Sequence, residues 1–358
     1  MKNFALSLVF VALTALSWGV YGPILSTGAK AMQSPGTDAH AIWRPFIGVG
    51  LAYFVVAIIV PSILLKLRPE RGGWTTGGTL WSLISGAAGA LGALGILLAF
   101  HNHGKAIYVM PLVFGCAPVV NTFYTMATHK DHARPGPMFI AGLIIVAAGA
   151  VSVLCFKPKP TAPAPTAHAA PAAKTSTAAA AEASVTQTGI VTLCVAMTAA
   201  CWGVYGPLLH KGQMLMHGSR LRPLICVGVS YFVIAVLLST CLLLVNPEAS
   251  SFTPKGTIWS LGGGAVGALG ALGVIMAFNF GGKPIYVMPL IFGCAPVINT
   301  LIGIRLQGAT GMSAPFYAGL ILVVVGAVVV LVFAPRHGAK PETAAAPHGA
   351  AAGQPVGT

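Results

Sequence analysis

Charged side chains are scarce in this sequence: Asp, Glu, Lys and Arg together make up 7% of its 358 residues, against about 25% in an ordinary soluble domain. No water-facing surface can be built from so few. Only six residues are acidic, Asp38, Glu70, Asp131, Glu182, Glu248 and Glu342. All six lie outside the long apolar runs, so carboxylate-based proton coupling inside a membrane has no obvious carrier. The seven cysteines are an odd number, all within apolar runs. They show neither a disulfide framework nor zinc spacing and read as small buried hydrophobes. No GxxxxGK[ST] phosphate loop occurs, which speaks against ATP-driven chemistry. Paired carboxylates, a His-rich cluster and a Ser/His/Asp set are missing from the apolar runs, so the chain does not read as an enzyme. No cofactor or metal is expected, and His168, His337 and His348 are scattered in polar tails.

What is abundant is apolar: 56% of the residues are hydrophobic. They fall into runs of about 20, the length that crosses a hydrocarbon core. Spans are expected near 4–25, 43–65, 79–100, 107–127 and 137–156, then near 189–209, 222–245, 257–280, 285–304 and 315–334. Strands of a barrel would be shorter and would alternate in polarity. The fold class expected is therefore an all-α integral membrane protein with ten transmembrane helices. The net charge of +14 would suggest nucleic acid in a soluble chain. In this one it reads as topology setting and contact with anionic lipid, and nucleic acid is not an expected partner.

The two sets of spans are copies. GTLWSLISGAAGALGALGILLAFHNHGKAIYVMPLVFGCAPVVN at 78–121 matches 256–299 at 31 of 44 positions. SWGVYGP at 17–23 matches CWGVYGP at 201–207, Arg44-Pro45 matches Arg222-Pro223, and Tyr53-Phe54 matches Tyr231-Phe232. This divides the chain into a first repeat at 1–156, a Pro/Ala/Thr-rich linker at 157–188, a second repeat at 189–334 and a polar tail at 335–358. The repeat also places residues 4–25 as a retained helix, because their counterpart lies deep in the chain.

Five spans per copy is odd, so the copies should enter the membrane in opposite directions. With a cytoplasmic N-terminus, 12 of the 20 Lys and Arg residues fall inside and 8 outside, a bias toward both termini being cytoplasmic. The basic cluster moves from the 2–3 loop of the first copy (Lys66, Arg68, Arg71) to the preceding loop of the second (Lys211, Arg220, Arg222). Inverted-topology five-helix repeats are a recurrent construction of secondary transporters. The membrane expected is the cell membrane.

Candidate functional residues come in matched pairs. Trp18 and Tyr21 pair with Trp202 and Tyr205, offering aromatic faces with polar tips suited to a small polar solute such as a sugar or nucleoside. Asn121 pairs with Asn299, next to Pro118 and Pro296, and a mid-span Asn needs a partner. Lys105 and Lys283 immediately precede a helix start, where an anion such as a carboxylate or phosphate could be held; the alternative is snorkelling to headgroups. Tyr108 and Tyr286 follow them by three residues. Glycines recur every third position at Gly86, Gly89, Gly92 and Gly95, and again at Gly264, Gly267, Gly270 and Gly273, the mark of close helix packing.

Taken together, these motifs resemble the drug/metabolite transporter superfamily, in particular its EamA-like ten-helix members. The resemblance rests on Trp202-Gly203 followed by Lys211, on Trp18-Gly19 followed at a longer spacing by Lys30, and on Arg44 and Arg222. It rests further on Pro118 and Pro296 and on the pairs Gly142 and Gly149, Gly319 and Gly326. The acidic residue that members often carry after the fourth helix is represented only by Asp131. The resemblance implies a transporter of small metabolites with a cavity lined by helices 1, 3, 4 and 6, 8, 9. The expected activity is secondary transport or facilitated passage of a small polar metabolite (sugar, nucleoside or organic anion) by alternating access. The alternatives are an exporter of hydrophobic or cationic drugs, which would call for an acidic or strongly aromatic cavity, and a non-transport scaffold. Expected partners are the small-molecule substrate and the lipid bilayer, and the chain is compatible with a homodimer.

Overall fold

A computed structural model describes residues 2–37, 39–128, 135–156, 177–307 and 313–333. The first part of the linker, the tail from 334, Asp38 and Asp131 lie outside the described residues. Those residues form helices and connecting turns, with no strand among them. We number the helices α1 (Lys2–Ala31), α2 (Trp43–Leu67), α3 (Thr76–His101), α4 (Ala106–Thr128) and α5 (Pro137–Cys155), then α6 (Thr177–Leu215), α7 (Leu221–Val245), α8 (Pro254–Asn279), α9 (Pro284–Gln307) and α10 (Ala314–Val332). All but α5 and α10 are long and apolar enough to cross a membrane, which makes the chain a multi-pass, all-α membrane protein. The first helix of each copy is longer than expected. α1 runs on to Ala31, and α6 starts at Thr177, inside the stretch read as linker.

Helix packing pairs each copy with the other. α1 lies against α8 and α9, and α2 against α8; in the same way α6 lies against α3 and α4, and α7 against α3. The glycine ladders explain why. A Cβ on Gly92 would overlap the indole of Trp202, and one on Gly270 would overlap that of Trp18. Gly86 fits against Val227 and Ser230, and Gly264 against Val49 and Ala52. Only a bare backbone lets these helices approach so closely. The two groups, α1–α2–α8–α9 and α3–α4–α6–α7, then meet where α2 crosses α7 and α4 crosses α9, with α5 against α10 beside them. Both α2 and α7 contain a π-helical stretch, Phe54–Ile59 and Phe232–Leu238. Such stretches re-aim side chains within an otherwise regular helix.

The helix ends are held by two matching clasps. Glu70 accepts hydrogen bonds from the backbone N–H groups of Arg220 and Leu221 at the start of α7 and from the Ser219 hydroxyl, with Arg220 and Arg222 at 3.5 and 3.6 Å. Glu248 accepts from the Ile42 N–H at the start of α2 (2.7 Å) and from the Ser250 hydroxyl, with Arg44 at 3.6 Å. A carboxylate at a helix N-terminus meets unpaired N–H groups and the positive end of the helix dipole. Two threonines do double duty. Thr75 caps α3 and donates to the carbonyl of Leu215, the last residue of α6; Thr253 caps α8 and donates to that of Ala31, the last of α1. α3 therefore starts where α6 finishes, and α8 starts where α1 finishes; because Asn279 at the end of α8 donates to the carbonyl of Gly218 just past α6, α1 and α6 finish at opposite ends of the bundle.

Candidate functional site: an aromatic chamber between the helix groups

At the middle of the bundle, Trp18, Tyr21, Tyr53 and Gly267 face Trp202, Tyr205, Tyr231 and Gly89 across a small chamber. About 20 Å³ of it is open to the centre of a water molecule, room for about one water. Every lining residue has its counterpart in the other copy. The walls come from α1, α2 and α3 and from α6, α7 and α8. The second helix of each copy thus takes the place that the family resemblance gives to the fourth, which stands one layer behind.

The chamber's geometry is set by rings. Trp18, Trp202, Phe114 and Phe292 form a closed square of near-parallel rings, with successive centroids 6.3, 5.8, 5.9 and 6.1 Å apart and planes within 28° of one another. Tyr21 stands edge-on to Trp202 and Tyr205 edge-on to Trp18. Tyr53 and Tyr231 stack face to face, centroids 3.6 Å apart and planes 2° from parallel. Among eight lining residues no side chain carries a formal charge.

Hydrogen bonding divides the polar tips into two kinds. The Trp18 indole N–H donates to the carbonyl of Gly267 and the Trp202 N–H to that of Gly89, both at 3.2 Å. The glycines thus give each indole both its space and its partner. The hydroxyls of Tyr21 and Tyr205 are buried and have no hydrogen-bond partner among the described residues. A buried hydroxyl without a partner costs about 1–3 kcal/mol, which marks these two groups as available to something that enters.

The other predicted residues lie elsewhere. Asn121 donates to the carbonyl of Pro284 (3.1 Å) and Asn299 to that of Ala106 (3.0 Å), each tying one fourth helix to the start of the other. Their carbonyl oxygens are buried and unpartnered. Tyr108 and Tyr286 donate to the turn carbonyls of His103 and Gly281. Lys105 is exposed and Lys283 half-buried in these turns, and neither lines the chamber. So the structure brings Trp18, Tyr21, Trp202 and Tyr205 together and sets Lys105, Lys283, Tyr108, Tyr286, Asn121 and Asn299 apart from them.

No family model matches the chain, and neither does any curated protein. Solved structures do: 28 chains match. One of them, a crystal structure of a protein 18% identical in sequence, superposes with a TM-score of 0.58 over 91% of this chain and 96% of that one. The likeness shows a shared fold, which by itself carries no function.

Sequence reasoning passed over Tyr53 and Tyr231 as binding groups, using them only to mark the repeat. It likewise treated Gly89 and Gly267 as packing alone, and it did not single out Phe114 and Phe292. A signal was available. An aromatic residue in the second helix at the same register in both copies, directly before an equally matched Phe, is more than helix packing asks for.

Proposed function

We propose that the chain is a secondary transporter or facilitator that moves a small, uncharged metabolite through the chamber by alternating access. The observation that carries this reading is the pair of unpartnered tyrosine hydroxyls in a buried chamber built in equal measure by both copies. Binding sites of transporters lie near the midplane, at the interface of the repeats. The lysines stand away from the chamber, so the uncharged members of the expected substrate range fit it better than organic anions.

The same reading takes the chain as ten spans in two inverted halves, with α5 and α10 completing each set. Its support is that α1 and α6 finish at opposite ends of the bundle. The likeness to the EamA-like transporters belongs here as well. Lys211 lies over the Trp81 ring at 3.6 Å, Arg44 and Arg222 sit in the clasps, and Gly142, Gly149, Gly319 and Gly326 lie where α5 and α10 touch. The charge bias supports cytoplasmic termini, and the same reading takes the cell membrane as the location.

Reporter fusions in the 2–3 and 7–8 loops test the architecture: opposite sides are expected, and the same side would refute the inverted halves. Thermal melts of purified protein against a metabolite panel test the site. A ligand at about 100 times its dissociation constant raises stability by roughly 2.7 kcal/mol, and the same compound should then exchange across proteoliposomes. Binding without exchange would remove the transport reading.

One observation favours a second reading. A lining of six aromatic side chains and two glycines suits hydrophobic or cationic compounds through ring contact and cation–π attraction, as expected of a drug exporter.

A further inference from the structure

We propose that the substrate is a neutral, planar heteroaromatic compound with polar groups at two edges, of the general kind of a free nucleobase. The proposal rests on the chamber being the substrate site and follows from counting its polar groups. The two indole N–H groups are engaged by Gly267 and Gly89. The Tyr53 and Tyr231 hydroxyls sit together on two stacked rings, and neither is among the buried groups left without a partner. What remains are two side-chain groups, the hydroxyls of Tyr21 and Tyr205, contributed by equivalent helices of the two copies.

That count discriminates between ligand classes. A hexose presents hydroxyls around its whole rim, and two protein hydroxyls cannot serve them. Each one left dry in a water-excluding chamber costs about 1–3 kcal/mol. An organic anion would give up its hydration with no cation in the lining to replace it. A purely hydrocarbon ring would leave both tyrosine hydroxyls unserved. A flat ring with two polar edges meets all three constraints. Its faces lie against rings, and its edges supply the hydrogen bonds that Tyr21 and Tyr205 lack. Each tyrosine hydroxyl can donate or accept, so the site selects for the number and placement of polar edges and tolerates either sense of hydrogen bond. The chamber as it stands is too small for such a ring, so binding requires the α1–α2–α8–α9 group to part from the α3–α4–α6–α7 group. Rings that touch through their faces separate without breaking hydrogen bonds; the side-chain bonds that cross between the groups, among them those from Asn121 to Pro284, Asn299 to Ala106 and Gln213 to Ile275, lie outside the chamber.

The test uses the full-length purified protein with adenine, glucose, benzoate and tetraethylammonium as probes, read by tryptophan fluorescence and by melting temperature. Adenine is expected to bind. Tyr21→Phe and Tyr205→Phe, which remove one hydroxyl each, should weaken it about tenfold apiece. Neither substitution should lower the melting temperature of the free protein, because neither hydroxyl has a partner to lose. A structural role would instead lower the melt. Glucose binding in preference to adenine would overturn the proposed class, and so would tetraethylammonium binding that is insensitive to both Tyr→Phe changes. Either result, if abolished by Trp18→Phe, would still leave the chamber as the site. Adenine binding unchanged in Tyr21→Phe, Tyr205→Phe and Trp18→Phe would move the site elsewhere and remove the chamber from the transport reading. No binding by adenine, with native melting intact, also overturns the proposal.

Discussion

The glycine ladders and the chamber they border are built from the same helices, yet they are finished to different standards. Along the ladders every close approach is used. Gly92 receives Trp202, Gly270 receives Trp18, and the neighbouring glycine carbonyls take both indole protons. In the chamber, beside Gly89 and Gly267, two hydroxyls are left without partners. Where lipid replaces water, the hydrophobic effect no longer drives helix to helix, and contact geometry does most of the work. Beside the ladders the satisfied indoles hold the helices together, and the two unpartnered hydroxyls are what the proposed substrate would meet.

Substitution should separate the two regions sharply. The largest effect is expected from Gly270→Leu or Gly92→Leu, which drive a side chain into an indole. Overpacking of this kind costs about 1–3 kcal/mol or more, and loss of the monodisperse, folded protein in detergent is the readout. A normal melt would show that the ladder is not tightly engaged. Next come the clasps. Glu70→Gln leaves Arg220 and Arg222 facing a neutral group and should cost about 2–3 kcal/mol. Glu248→Gln should cost less, because a single arginine answers that carboxylate and it is more exposed, 14% against 7%. Equal melts would erase the difference between the two ends of the bundle.

The third effect is one of pH. His40, in the turn before α2, has its pKa pushed down to about 4 by burial first, and then by Lys30, His103 and His101. Its carbonyl accepts a hydrogen bond from Nδ1 of His101 at 2.7 Å, and its ring stands edge-on to Phe100. The unfolded chain takes up a proton near pH 6.5 that the folded chain refuses until about pH 4. Stability is thus full above about pH 6.5, falls between there and pH 4, and levels off below, a loss of at most about 3–4 kcal/mol. His40→Asn should flatten that part of the melt-against-pH curve, and an unchanged curve would assign the titration to another group. The last effect, opposite in sign, belongs to the chamber, where Tyr21→Phe removes an unpaired buried hydroxyl and should leave the stability of the free protein unchanged or raise it by up to about 1–3 kcal/mol. A loss comparable to that from the clasps would mean the hydroxyl has a structural partner after all.

Much of the fold could be read from the sequence because its signals are local or repeated. Runs of apolar residues located the helices to within a few residues, except for α1 and α6, which run longer, and internal identity marked the two copies. The glycine spacing named the packing faces. Half of the chamber was legible too, since Trp18, Tyr21, Trp202 and Tyr205 stood out as matched polar-tipped aromatics. What could not be read is which copy each helix packs against. Nothing in the sequence around Trp18 says that its space and its acceptor come from Gly270 and Gly267, some 250 residues away. The same holds for Glu70, an ordinary loop acid by sequence, whose partners stand at the start of α7. The turn lysines were misleading for a physical reason. A cation near a helix start attracts anions in principle, and Lys105 and Lys283 sit in the turns before α4 and α9, where they do not line the chamber.

The exchanged packing also governs how the protein comes into being. Synthesis proceeds from the N-terminus, so α3 and α4 enter the membrane before α6 and α7 exist. During that interval the bare backbone groove along Gly86, Gly89, Gly92 and Gly95 can be filled only by lipid. The glutamate after α2 must likewise wait for the helix it will cap. The first copy is an unfinished object until the ribosome has delivered most of the second. A chain released early would present an open seam to the membrane's quality control.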